Sequence, residues 1–310
     1  MIVGFIDIGS NAARLLVAEL GPGWRWRALE WAREPLRLGR RVRGGAAGGA
    51  DATDRNEAQR LIDAAGLFAA RCRQSAADDV VAVATSAVRE APDRDELIRR
   101  LREEAGLDVS VLSGQEEARL VYRGLAGTVD LHGRRALAMD IGGGSTEVAV
   151  GEGRTVLLAA SLPVGAVRLT QQALTPSDAD GRVGEAAWQE LCESVREAAA
   201  PVADDVRRLA PAEIFGGAGT VRSLVGMVGR EVESALLSRE EAGRLAARLR
   251  RMTQQDRMEK AGMFPDRADV IVAGTAVLLT IMDEFGLPAV RFAAAGVREG
   301  LVQDYLARLA

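Results

Sequence analysis

At 310 residues and 32.9 kDa the chain is long enough for about two domains of roughly 100–200 residues each. With 48% hydrophobic and 27% charged residues it cannot be a disordered, collagen-like or fibrous protein. A net charge of -4 argues against a general nucleic-acid binder, whose footprint is a strongly basic face.

The first element is an apolar, strand-like run, Ile2 to Ile6, that reaches Asp7, turns through Gly9, Ser10 and Asn11, and resumes as a second apolar run from Arg14 to Leu20. No basic n-region or small-residue cleavage site accompanies it, so no signal peptide is expected and the protein is placed in the cytoplasm. Arg40 to Asp54, rich in Gly, Ala and Arg, reads as a loop near the cleft mouth. Helical spacing of Leu61, Ile62, Ala65, Leu67 and Phe68 predicts a helix over Ala58 to Cys72, followed by a strand from Val80 to Ala84. An amphipathic helix from Arg94 to Glu104 and a strand from Val109 to Leu112 come next, and Glu116 and Glu117 open a further helix. Gly127 and Gly133 break the periodicity, and a boundary there divides the chain into lobes 1–127 and 128–310.

The second half starts as the first does. Ala136 to Met139 runs into Asp140, turns through Gly142, Gly143, Gly144 and Ser145, and continues from Thr146 and Glu147 to Val150. Trp188 to Leu209 reads as a helix, Ile214 and Phe215 lead into the Gly216 to Thr220 turn, and Arg239 to Met252 is a charged helix. Val270 to Glu284 and Gly300 to Leu309 read as helices around a strand, Val290 to Ala293. The nearly apolar stretch Val270 to Met282 is broken by Gly274, Thr275 and Thr280 and falls short of the ~18 to 20 residues of a membrane span. Alternating strands and helices predict an α/β protein.

Composition narrows the chemistry further. Lys260 is the sole lysine, so no Walker-type loop can have its lysine in place. His132 is the sole histidine, which excludes His-rich metal cages, HD-type metallophosphohydrolases and most histidine triads. Cys72 and Cys192 are 120 residues apart with no partner nearby, so a zinc site or disulfide framework is not expected and both thiols are expected free and buried. The duplicated strand–turn–strand units remain as the informative feature. Each puts an Asp at a strand end beside a turn whose N–H groups and hydroxyls form a small anion-binding concavity. An Asp there repels phosphate unless a divalent cation lies between them, so a metal-bridged phosphate fits both units. Two copies at domain-scale spacing predict two similar lobes facing each other across a cleft.

Asp7-Ile-Gly-Ser-Asn11, Ala84-Thr-Ser-Ala-Val-Arg89, Ser113-Gly-Gln-Glu-Glu-Ala-Arg-Leu120, Asp140-Ile-Gly-Gly-Gly-Ser-Thr-Glu147, Gly216-Gly-Ala-Gly-Thr220 and Gly296-Val-Arg-Glu-Gly300 stand in order and in register. Over nearly the whole chain they resemble the exopolyphosphatase/guanosine pentaphosphate phosphohydrolase (Ppx/GppA) family, in its short two-domain form. The resemblance implies two ribonuclease-H-like lobes of the actin/sugar-kinase/heat-shock-chaperone superfamily flanking a central cleft. It also implies hydrolysis of the terminal phosphate of inorganic polyphosphate, processively, with a glutamate-activated water and a divalent cation. Release of the γ-phosphate of guanosine pentaphosphate is the alternative, and a phosphate- or nucleotide-sensing switch without turnover a further one. No nucleic-acid or membrane partner is expected, and a homodimer is compatible with the family.

Phosphoanhydride hydrolysis needs a positioned water, a group to orient it, and positive charge on the transferring oxygens. From the residues alone either Glu116 or Glu117 could be that group; the resemblance selects Glu117. Asp7, Asp140 and Glu147 are oxygen ligands suited to Mg²⁺ or Mn²⁺. Ser10, Asn11, Gly143, Gly144, Ser145 and Thr146 would cradle phosphates, and Arg14, Arg89, Arg267 and Arg298 are the candidate guanidinium clamps. Ala12 departs from the family pattern, where a hydroxyl residue often follows the Asn, so one phosphate contact is missing there or comes from elsewhere.

Overall fold

The computed structural model describes residues 1–36, 38, 52–173, 180–229, 235–261, 263 and 265–309. Its first half holds strands β1 (Ile2–Ile8), β2 (Ala12–Leu20), β3 (Trp26–Pro35), β4 (Asp79–Ala84) and β5 (Val109–Val111), with helices α1 (Ala52–Gln74), α2 (Ser86–Arg89), α3 (Arg94–Ala105) and α4 (Gly114–Thr128). Its second half holds β6 (Arg135–Ile141), β7 (Thr146–Glu152), β8 (Thr155–Leu162), β9 (Glu213–Gly216), β10 (Leu236–Ser238) and β11 (Ala289–Phe292). The helices there are α5 (Ala166–Ala173), α6 (Glu185–Leu209), α7 (Ala218–Met227), α8 (Arg239–Arg251), α9 (Gln254–Ala261), α10 (Pro265–Ala268), α11 (Ile271–Phe285) and α12 (Val297–Leu309).

The strands form two mixed sheets, ordered β3-β2-β1-β4-β5 and β10-β11-β9-β6-β7-β8. In the first, β1, β2 and β3 are antiparallel and β4 and β5 run parallel to β1; in the second, β6, β7 and β8 are antiparallel and β9 and β11 run parallel to β6. Setting β10 aside, the two halves repeat one topology, the ribonuclease-H-like lobe that the family resemblance implied. The two hairpins close alike: Gly9 N–H donates to the Ala12 carbonyl at 3.1 Å, and Gly142 N–H to that of Ser145 at 3.0 Å.

An apolar cluster joins the halves, drawing Val3 and Phe5 from β1, Val121 and Leu125 from α4, Ala136 and Ala138 from β6, and Val302 and Leu306 from α12. α4 packs on β6, β7 and β8, whereas α12 packs on α4 and β1. Each sheet is therefore covered in part by a helix from the other half of the sequence. α11 is buried from Ile271 to Met282 because α6 and α8 flank it, and among the described residues no helix is long and apolar enough to cross a membrane.

Most expected elements appear within a few residues of their predicted ends. The expected loop from Arg40 lies outside the described residues as far as Asp51, and its last three residues, 52–54, belong to α1. The sequence reading missed strands β3, β8 and β10 and the short helices α2, α5, α7, α9 and α10. β3 alternates half-buried and exposed residues over Trp26–Pro35, the signature of an edge strand, but Glu30 and Glu34 at half-buried positions and Leu29 and Trp31 at exposed ones blur its apolar alternation. Both thiols are free; Cys72 is buried as expected, while Cys192 is only half-buried.

Candidate active site

Strand register sets the first layer of the site. On the first sheet Asp7 lies opposite Arg14; at the equivalent place on the second, Asp140 lies opposite Glu147. Arg14 donates from Nη1 to Asp7 Oδ2 at 3.3 Å, neutralising one pair. The other pair is two carboxylates face to face, which is unfavourable without a countercharge. Burial, with Asp140's charge, pushes the Glu147 carboxyl above its usual value, against hydrogen bonds from Ser145 and Ser161; Ser161 Oγ donates to Glu147 Oε1 at 2.8 Å. Burial also pushes Asp140 up to about 6, opposed by Arg14 and reinforced by Asp7 and Glu299.

The turns bring the halves together. Gly143 and Gly144 pack against the first turn so closely that a Cβ on Gly144 would lie 2.5 Å from Ser86 Oγ and 2.9 Å from Ser10 Oγ. Those two hydroxyls are hydrogen-bonded at 2.9 Å. The N-terminus of α5 holds the second turn: Ala166 N–H donates to the Gly142 carbonyl and Val167 N–H to that of Gly143, both at 2.9 Å. Arg168 spans the halves, donating from Nε to the Gly144 carbonyl and from Nη2 to Glu90 Oε2, both at 2.6 Å.

α4 supplies the third component and separates the adjacent glutamates. Ser113 and Glu116 form a capping box, with Ser113 N–H donating to Glu116 Oε2 at 2.7 Å and Glu116 N–H to Ser113 Oγ at 3.2 Å. Glu116 is thereby occupied at the helix terminus, and those bonds hold its carboxyl below its usual value. Glu117, one residue on, turns inward and is 6% exposed. Arg89 Nη1 donates to Glu117 Oε2 at 3.1 Å and to the Leu112 carbonyl at 2.8 Å. Burial and the charge of Glu147 nonetheless push the Glu117 carboxyl well above its usual range.

These groups enclose an inner cavity of about 50 Å³ lined by Asp7, Ser10, Asn11, Arg14, Glu117, Gly143, Ser145, Asp140, Glu147 and Arg267 among others. It adjoins an outer cavity of about 890 Å³ that shares Asp7, Arg14, Asp140 and Arg267 and adds Arg298 and Glu299. The structure therefore gathers nearly every residue singled out from the sequence. Gly144 lines neither cavity, and Thr146 is fully buried with its Oγ1 donating to the Val164 carbonyl at 2.6 Å, away from the cavity. Arg89 reaches the site through Glu117 rather than as part of the lining. Sequence reasoning missed Thr85 and Ser86, whose position directly after the end of β4 was the available signal, and the buried Glu299, for which the carboxylate in Gly296-Val-Arg-Glu-Gly300 was the signal. Thr85 and Ser86 bring to the first turn hydroxyls that Ala12 cannot.

Among the described residues no three His, Cys, Asp or Glu side chains are arranged to hold a metal ion by themselves. The donor set does fit a hard cation shared with phosphate. Asp140 and Glu147 are mutually repelling oxygen donors, and Mg²⁺ is usually held by one or two carboxylates plus substrate oxygens.

Fold and cleft together define a two-lobed α/β protein of the ribonuclease-H-like type, with carboxylates, hydroxyls and glycine-rich turns meeting between the lobes. Residues 35–309 match the Ppx/GppA phosphatase family, and the chain belongs to it. Exopolyphosphatase 1 of Mycobacterium tuberculosis is 32% identical over 97% of this chain and 87% of its own length. The crystal structure of an exopolyphosphatase from Cytophaga hutchinsonii superposes with a TM-score of 0.87 at 27% identity, covering 99% of this chain and 98% of that one. The Ppx/GppA family member of Aquifex aeolicus shares the fold, with a TM-score of 0.79 at 23% identity over 100% of this chain and 98% of that one.

Proposed function

We propose that this chain is an exopolyphosphatase that removes the terminal phosphate of inorganic polyphosphate, one phosphate after another, in the cleft between lobes 1–127 and 128–310. The observation that carries this reading is the buried Glu117 carboxylate facing both glycine-serine turns in one cavity. The terminal phosphate sits against the turns, receiving hydrogen bonds from Ser10, Asn11, Ser86, Ser145 and the N–H groups around Gly143 and Gly144. Arg14 and Arg267 neutralise oxygens of the transferring and adjoining phosphates. Arg89 fixes Glu117 by one oxygen, and among the described residues no donor is bonded to Oε1. That oxygen orients the attacking water and takes its proton. Of the three carboxylates expected to bind a cation, Asp7 is paired with Arg14, so Asp140 and Glu147 would hold Mg²⁺ or Mn²⁺ together with substrate oxygens; the cation when bound supplies positive charge to the phosphate oxygens and relieves the carboxylate repulsion.

Guanosine pentaphosphate as substrate is favoured by one separate observation: Met227, Met263 and Phe292 line the outer cavity, and an inorganic chain has no use for an apolar wall. Phosphate release from polyphosphate, guanosine pentaphosphate and ATP, with Mg²⁺, with Mn²⁺ and with EDTA, decides between them. Metal-dependent release from polyphosphate, lost in Glu117→Ala, supports the reading. Faster release from guanosine pentaphosphate promotes the second, and no release from any substrate sinks both.

A further inference from the structure

The inner cavity, at about 50 Å³, has room for one phosphate, so the rest of a chain must lie in the outer cavity of about 890 Å³. The first sheet organises one wall of that outer space. Asp7 on β1 lies opposite Arg14 on β2, and Arg14 lies opposite Arg33 on β3. Residues opposite each other across strands project from the same face, so the three form a row that steps outward from the cleft by about 4.8 Å per strand. Arg33, on the edge strand, thus stands about 10 Å from the level of Asp7 along the row. The neighbouring row on this face is Phe5, Leu16 and Trp31. Trp31 is 50% exposed, and the Arg298 guanidinium lies over its ring, 4.7 Å from the centroid. The cation–π contact with the indole holds that guanidinium at the wall of the outer cavity. Trp31, Arg33 and Arg298 all line the outer cavity.

We propose that Arg33, together with Arg298 held on Trp31, forms a distal subsite for the phosphates that follow the reacting one, and that Arg33 makes the protein favour long chains over short ones. This inference rests on the exopolyphosphatase reading for its substrate. Its ligand class is a linear polyanion that extends beyond the inner cavity. A chain of two or three phosphates ends before it can engage Arg33 fully, whereas a long chain crosses the whole row.

The test measures binding of long-chain polyphosphate and of inorganic triphosphate to the Glu117→Gln protein, and kcat and KM for both in the protein that retains Glu117. Loss of one exposed charge-assisted contact predicts that Arg33→Ala weakens long-chain binding about tenfold, with a smaller loss for triphosphate. KM for the long chain rises more steeply than kcat falls, and Arg33→Lys recovers part of the loss. Arg27→Ala removes the same charge from the same strand, but Arg27 does not line the cavity, and this variant leaves both substrates unaffected. Equal losses on the two substrates, or no loss on either, overturn the distal subsite. Arg33-dependent binding of the long chain in a protein that hydrolyses nothing sinks the exopolyphosphatase reading and leaves the subsite standing. Turnover of the long chain without dependence on Arg33 does the reverse, and absence of polyphosphate binding overturns both.

Discussion

A methyl group on Gly144 is the smallest perturbation that reaches the meeting point of the two hairpins. Its Cβ would lie 2.5 Å from Ser86 Oγ and 2.9 Å from Ser10 Oγ, so the nearer contact must open by 0.9 Å to reach the 3.4 Å of ordinary van der Waals contact. Ser86 cannot simply rotate away, because that would break its hydrogen bond to Ser10, at a cost of about 1 kcal/mol. Nor can the Gly144 backbone easily retreat, since Arg168 holds its carbonyl. Overpacking a site of this kind costs about 1–3 kcal/mol, and with the lost bond the expected destabilisation is about 2–4 kcal/mol. For a chain of this length that lowers the melting temperature by about 3–6 °C. A displacement approaching 1 Å in a phosphate cradle lowers kcat by about 10²-fold.

Removing the obstructing hydroxyl should undo much of this. With Ser86→Ala the nearest remaining atom of that residue is its Cβ, at 3.4 Å, already an ordinary contact. The Gly144→Ala/Ser86→Ala protein should therefore turn over polyphosphate about tenfold faster than Gly144→Ala alone, although Ser86→Ala by itself is expected to slow the enzyme. Gly184→Ala, whose added methyl meets nothing within 4 Å, serves as the control and should leave activity unchanged. The assay is steady-state phosphate release together with thermal melting of all four variants. Strictly additive losses in the double variant, or wild-type behaviour of Gly144→Ala, would refute the close approach of the hairpins.

Glu117→Gln keeps the shape of the side chain and should lower kcat by about 10²- to 10⁴-fold. Its stability should move the opposite way. Because burial and Glu147 raise the Glu117 carboxyl, the folded chain retains a proton that the unfolded chain has lost, so stability falls as pH rises from the ordinary carboxylate range toward the raised value. The variant should melt above the parent at about pH 8 in EDTA, with the gap closing toward about pH 5; a gap independent of pH would contradict this. Gly219→Ala intrudes on the Arg267 guanidinium while replacing a helical glycine, so KM should rise several-fold with the melting temperature unchanged or slightly higher. A fall in melting temperature with KM unchanged would show that Arg267 does not act on substrate. Chelation by EDTA should abolish turnover, and Mg²⁺ or Mn²⁺ should restore it; phosphate release that persists in EDTA would remove the cation from the mechanism.

Some of this site was legible in the residue order. Asp7 and Asp140 end apolar runs just before glycine-serine turns, and both features are local: chain alternation makes the strand, and Gly and Ser make the turn. The choice between Glu116 and Glu117 was nearly legible too, because Ser113 three residues before Glu116 spells a capping box that consumes the first carboxylate. The direction of the Thr146 hydroxyl was not legible, because it points to a backbone carbonyl on a neighbouring segment, a partner 18 residues away that no local pattern announces.

What the sequence by itself determined is the duplicated strand–turn–strand unit, the α/β order, the carboxylate and hydroxyl inventory, and the chemistries excluded by one lysine, one histidine and two distant cysteines. These follow from short-range periodicity and composition. The tertiary structure alone decided that Ser86 meets Gly144, that Glu299 is buried near Asp140, and that Arg33 stands in line with Arg14 and Asp7. Each depends on strand register or on the packing of one half against the other. A shift of one residue in that register would turn Arg33 to the opposite face, so the site's outer wall is a property of the hydrogen-bonded sheet rather than of the residue order.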